Sequence, residues 1–170
     1  MRSLQGGSLI QFASFRNLLE NEMSRKIIGF DVFGEFPSAG NSADRMFREK
    51  FVKETNGEYL TREDIYQALG NKGIGNVELV KGDILETVES YVEKNPWIRI
   101  ALLHIDTDIY EPSKKALEIL YERVVIGGVV IADDYGVAGE TLAFDEFFME
   151  KARFNKFQFS HYKPSYLIKE

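Results

Sequence analysis

The sequence has no cysteine, which excludes disulfides, thiolate metal sites and cysteine nucleophiles. It also lacks an excess of positive charge: 21 Lys and Arg stand against 27 Asp and Glu, a formal charge of −6. A nucleic-acid binder carries a basic face, so no nucleic-acid partner is expected. No apolar run approaches the roughly 20 residues of a membrane span, so no membrane partner is expected either. The opening MRSLQGGSLIQF has no signal-peptide core. There is no internal repeat, linker or low-complexity stretch. What remains is 170 residues, 44% hydrophobic and 28% charged, enough to bury a real core. The expectation is one soluble, cytoplasmic domain over 1–170.

Helices and strands alternate along the chain. Leu9, Phe12, Phe15 and Leu19 have helical spacing and predict a helix over 8–23. Lys26–Phe33 is a short apolar strand, and 34–42 (GEFPSAGNS) is a breaker-rich loop. Helices are expected at 43–55 and 61–71, the second opened by a capping box of Thr61 and Asp64. A strand at Asn76–Lys81 and a helix at Asp83–Asn95 follow. Arg99–Asp106 is nearly continuous in apolar residues, as in a strand covered on both faces. Pro112 fits the first turn of a helix carrying Ala116, Leu117, Leu120 and Val124, which Gly127-Gly128 should break. Val129–Ala132 is a buried strand, and Ala143, Phe144, Phe147 and Phe148 mark another helix. The last fifteen residues read as two short strands joined near Lys163-Pro164. The pattern implies an α/β fold with a mostly parallel sheet and an antiparallel C-terminal edge.

Ligands of open α/β sheets bind beyond the carboxyl ends of the strands. Three strands here end in acid: Asp31, then Asp106 with Asp108, then Asp133 with Asp134. A lone Asp at a strand end is commonly a turn former. Grouped carboxylates repel, and such a group needs a cation or a shared proton. Oxygen-only donors favour a hard ion, Mg²⁺ or Ca²⁺. Gly6-Gly7-Ser8 opens a helix whose free N–H groups suit an anion, but a lone Gly-Gly-Ser reads first as an ordinary loop. Asp83 could simply cap the next helix. His104 shares a strand face with Asp106, two residues on, and suits a satisfied core position or a supporting place behind a ligand better than a catalytic role.

The stretch LLHIDTDIYEPSKKALEILYERVVIGGVVIADDY resembles the sugar O-methyltransferase family of the macrocin and novobiocin pathways. The order is specific: apolar strand, D-x-D-x-Y-E-P/S, helix, G-G-V-V-I, D-D-Y. Weaker similarity runs through KIIGFDVFGEFP, LVKGD and the terminal PSYLIKE. The resemblance implies a Rossmann-like class I methyltransferase fold dependent on S-adenosylmethionine and Mg²⁺. It implies that Asp106, Asp133 and Asp134 hold the metal and that Asp106 also takes the hydroxyl proton. Asp31 would bind the cofactor ribose, Asp83 would lie near the adenine, and Gly6 and Ser8 would belong to the loop around the methionine portion. Asp108 and Tyr110 would have supporting roles. The acceptor would be a hydroxylated small molecule, a sugar diol ahead of a catechol, and homo-oligomers are compatible with all of this.

Relatives begin with a strand leading into E-x-G-x-x-x-G-x-S. Here Gly6-Gly7-Ser8 matches the end of that motif, and Arg2 stands where its earlier glycine belongs. The first central strand is therefore expected to be missing, leaving a marginally stable or aggregation-prone chain that binds the cofactor weakly or not at all. A non-catalytic paralogue used for binding or assembly is the corresponding alternative. An aspartyl-phosphate phosphatase fits less well, because only 27 residues separate Asp106 from Asp133. A metal-dependent glycosyltransferase with D-x-D would need a longer chain.

Overall fold

The computed structural model describes residues 7–34, 45, 49, 59–149, 157–158 and 165–170. They fall into two compact units, split between Asp83 and Ile84 for the described elements.

The first unit contains α1 (Gly7–Leu19), β1 (Ile27–Asp31), α2 (Arg62–Asn71) and β2 (Val77–Lys81). β1 and β2 pair in parallel, Ile27 opposite Val77 and Asp31 opposite Lys81. α1 is shorter than its apolar spacing predicts. Asn21 stops it: its side chain accepts from the Met23 amide at 3.0 Å and its carbonyl accepts from Ser24, a turn that competes with helix. Gly29 lets α1 sit close, since a Cβ there would overlap Leu9. Ala13, Phe33, Ile65, Leu69 and Leu79 form the core. Arg16 is buried beside it and satisfies its guanidinium on the carbonyls of Arg25, Gly75 and Asn76 at 2.8–3.1 Å. The Thr61–Asp64 capping box on α2 is present in both directions.

The second unit contains α3 (Ile84–Lys94), β3 (Ile100–Ile105), α4 (Tyr110–Leu120), β4 (Val124–Ala132), α5 (Ala138–Met149), β5 (Phe157–Gln158) and β6 (Ser165–Ile168). The strand order is β3-β4-β6-β5. β3 and β4 are parallel, whereas β6 runs antiparallel to both β4 and β5, as the C-terminal pattern predicts. Leu117, Val130, Phe144 and Val88 are fully or almost fully buried. β3 is less covered than its composition suggests: Leu103 and Ile105 are buried, but Leu102 is 43% exposed.

The glycine pair behaves differently from expectation. The helix ends at Leu120 in a short 3₁₀ turn, Tyr121–Arg123, and Val124 already begins β4. Gly127 and Gly128 lie inside that strand. Gly127 has φ +78°, and a Cβ on Gly128 would press on the Val124 side chain and the Val125 carbonyl at 2.7–2.8 Å. The pairing of β3 with β4 slips there, between Ile100 and Leu102. Both glycines still bond to Lys169, through N–H to carbonyl contacts of 2.7 and 2.9 Å. The pair makes a bulge rather than a break.

Of the helix expected at 43–55, only Arg45 and Glu49 are described, and both are helical. In the expected loop 34–42 only Gly34 is described, and the turn near Lys163-Pro164 lies outside the described residues. Among the described residues, β1 pairs with β2 alone and β3 with β4 alone. No described helix is long and apolar enough to cross a membrane.

Candidate active site

In the second unit, parallel pairing of β3 and β4 brings their carboxyl ends side by side, and the Asp133 amide bonds to the Ile105 carbonyl at 2.9 Å. Asp106, Thr107 and Asp108 follow β3, and Asp133 and Asp134 follow β4. The acids meet in two groups that share Asp106. In one, donor atoms of Asp106, Asp108 and Asp134 lie within 4.8 Å of one another; in the other, those of His104, Asp106 and Asp133 do. Asp106 thus approaches both members of the Asp133–Asp134 pair, each with a different third residue.

The all-oxygen group carries concentrated negative charge. Burial, a side-chain hydrogen bond with Asp134, and the charges of Asp134, Asp106 and Glu140 push the Asp108 carboxyl up to about 9. Without a cation, Asp108 and Asp134 therefore share a proton across that bond. A hard divalent ion displacing this proton would satisfy the same oxygens, so the donor set fits Mg²⁺ or Ca²⁺. Asp108 also sits at φ +62°, a left-handed conformation that costs on the order of 1 kcal/mol outside glycine. His104 Nε2 lies 2.9 Å from Asp133 Oδ1. A carboxylate only accepts, so the imidazole carries its hydrogen on Nε2 and orients Asp133.

The loop after β3 is tied from several sides. Thr107 Oγ1 and Ser113 Oγ are 2.5 Å apart, and Ser113 Oγ donates to the Ile109 carbonyl at 2.7 Å. Glu140, in the first turn of α5, has no exposed surface. Its Oε2 accepts from the Thr107 and Asp108 amides at 3.2 and 3.3 Å, and its Oε1 from the Asp134 amide at 3.0 Å. Burial pushes its carboxyl up to about 7, against the pull of those three amides. Sequence reasoning missed Glu140, because an acid in a first helical turn is ordinarily read as complementing the helix dipole. Further out, Tyr135 Oη donates to Asp145 and Tyr110 Oη to Glu146, both at 2.6 Å.

In the first unit, Asp31 ends β1 and Asp83 comes two residues after β2, at the same end of their parallel pair, where the Gly82 amide bonds to the Asp31 carbonyl at 3.0 Å. Asp31 Oδ1 accepts from the Phe33 amide at 2.8 Å, and Phe33 is held at φ +46°. Burial raises the Asp31 carboxyl above its ordinary value, opposed by the amides of Phe33 and Val32. Ser8 is the second residue of α1. Gly6 lies outside the described residues.

Comparison with known proteins agrees with this architecture. The family model for macrocin O-methyltransferase (TylF) matches residues 3–156. A Streptomyces olivaceus 8-demethyl-8-(2,3-dimethoxy-α-L-rhamnosyl)-tetracenomycin-C 4′-O-methyltransferase is 28% identical over 135 residues, 78% of this chain and 49% of that protein. The chain thus spans about half the length of the curated relative it matches. The O-methyltransferase NovP superposes with a TM-score of 0.81 at 20% identity, covering 98% of this chain and 68% of NovP. The calicheamicin methyltransferase CalS11 gives 0.67 at 25% identity, covering 94% and 66%. The fold is the Rossmann-like class I methyltransferase fold. With the family model matching from the first helix through α5 and into the residues beyond it, the chain belongs to the macrocin O-methyltransferase family.

Proposed function

We propose that this chain is a single S-adenosylmethionine-dependent O-methyltransferase domain acting on a hydroxyl of a sugar or sugar-bearing small molecule, with Mg²⁺ at the paired strand ends. The observation that carries this reading is the convergence of Asp106, Asp108, Asp133 and Asp134 where β3 and β4 end together. Family membership supports the methyl donor. The rhamnosyl acceptor named for the tetracenomycin relative supports a sugar.

Of the acids the family motif implies, Asp106 and Asp134 would hold the cation in the all-oxygen group with Asp108, while Asp133 meets Asp106 in the neighbouring group with His104 and would complete the site from there. When bound, Mg²⁺ lowers the pKa of a coordinated hydroxyl and fixes its position. Asp106, common to both carboxylate groups, would take the acceptor hydroxyl's proton as the methyl passes from the sulfonium sulfur to that oxygen and the thioether S-adenosylhomocysteine leaves. His104 keeps Asp133 oriented through their 2.9 Å contact. A vicinal diol suits such a site because two hydroxyls can chelate one ion and present one of them to the methyl group. On the cofactor side, Asp31 would accept hydrogen bonds from ribose hydroxyls, Asp83 would lie near the adenine, and the motif residues Gly6 and Ser8 would serve the methionine portion.

Calorimetric titration of S-adenosylmethionine and S-adenosylhomocysteine, with and without Mg²⁺, tests the reading. Saturable binding of both is expected. Binding of neither, to a folded chain, would favour the non-catalytic paralogue.

A further inference from the structure

We infer that Glu140 is a positioning residue that locks the two acid-bearing loops into one register and thereby sets the affinity of the cation site. The inference rests on the cation reading above, but its structural core stands on hydrogen bonds alone.

A carboxylate is purely an acceptor, with two oxygens about 2.2 Å apart. Glu140 divides them between two loops: Oε1 takes the Asp134 amide after β4, and Oε2 takes the Thr107 and Asp108 amides after β3. Each of these amides belongs to an acidic residue of the site or to its immediate neighbour. Loops beyond strand ends have no ladder partners, and buried N–H groups need an acceptor. Glu140 supplies one for three of them at once. It also stabilises Asp108 at φ +62°, a conformation that persists only where its surroundings hold it. A glutamate at the third position of a helix ordinarily reaches back to its own cap. This one is fully buried and bridges to a different loop. Burying a carboxylate is costly, and helix capping alone would not require it.

Glutamine has the same size but only one acceptor atom. Glu140→Gln must turn an N–H towards one of the two loops, so their registration is lost while most packing is kept. Outer partners of metal ligands are typically worth about 10–100-fold in metal affinity. The control is Thr141→Val. Thr141 Oγ1 accepts from the Gly136 amide at 2.7 Å, a contact of the same helix to the later part of the loop after β4 that holds none of the Thr107, Asp108 or Asp134 amides.

The experiment combines calorimetric titration of Mn²⁺ into the full chain with amide hydrogen exchange of the metal-free protein. In the parent, the Thr107, Asp108 and Asp134 amides should be protected before any metal is added. In Glu140→Gln they should exchange faster together, and Mn²⁺ should bind about 10–100-fold more weakly, while Thr141→Val binds as the parent does. Unprotected amides in the parent would overturn the inference, as would parent-like Mn²⁺ affinity in a folded Glu140→Gln. If that variant fails to fold, protection in the parent decides. If the parent protects these amides but binds no Mn²⁺, the cation reading fails and the loop-locking role stands.

Discussion

The two units organise their acidic residues by different means. In the first, Asp31 is held by its own neighbourhood, through the amide of Phe33 two residues on. In the second, Asp108 and Asp134 lie on separate loops and are aligned by Glu140, more than thirty residues from Asp108 and six from Asp134. The supports differ as well. β1 and β2 form a two-stranded sheet over a five-residue buried cluster, whereas β3 and β4 belong to a four-stranded sheet. An acid held by an amide two residues on can tolerate a lighter scaffold. A cluster of repelling carboxylates needs loops fixed against each other.

The largest effect should come from the centre of the stronger unit. Asp106→Asn removes the carboxylate shared by both groups, so loss of cation-dependent methyl transfer should exceed the roughly 10–100-fold typical of an outer partner. Circular dichroism and β1–β2 amide exchange should stay as in the parent. Retained cation-stimulated turnover would remove Asp106 from the site.

A pair of core truncations sharpens the contrast in scaffolds. Phe144→Ala should destabilise the second unit by about 3–5 kcal/mol and Leu69→Ala the first by about 2–5 kcal/mol; both side chains are almost completely buried. Site-resolved hydrogen exchange should show each loss confined to its own strands, with β1–β2 amides the less protected pair in the parent. Uniform loosening of both sheets by either variant would dissolve the distinction.

The smallest effect concerns Asp31. Asp31→Asn should weaken S-adenosylhomocysteine binding by about 1.5–3 kcal/mol, the range for hydrogen bonds to a charged acceptor. The same change should alter ligand-free stability in the opposite direction. Burial raises the folded carboxyl above its ordinary 3.8, so its contribution is complete below that value and is lost as pH rises through the raised folded value. The parent should therefore lose stability over that interval, and Asp31→Asn should not. Asp31 is exposed at the strand end, so solvent screens the effect and the shift should be small; thermal melting against pH reads it, and identical profiles would mean that the carboxyl titrates alike folded and unfolded.

Several features were legible in the residues because their causes are local. The Thr61–Asp64 box is a three-residue relation between side chain and backbone, and it is present as read. Apolar runs located the strands, and the order of motifs from Arg99 to Tyr135 pointed to the family. The end of α1 and the glycine pair were harder. Asn21 stops the helix through a turn whose strength depends on Met23 and Ser24. Gly127-Gly128 reads as a helix break until Lys169 arrives from the far end of the chain to bond with both.

The sequence by itself determined the alternation of helix and strand, the family, and the placing of acids at strand ends, because periodicity and motif order are properties of neighbours along a chain. Only the tertiary structure decided which acids meet. It joined Asp106 to Asp108 and Asp134 on one side and to His104 and Asp133 on the other, and it brought a buried Glu140 beneath both loops. The physical reason is that repulsion between carboxylates and the hydrogen bonds that oppose it act across a few ångströms of space, and that distance is set by the pairing of β3 with β4 and the docking of α5, not by separation in sequence.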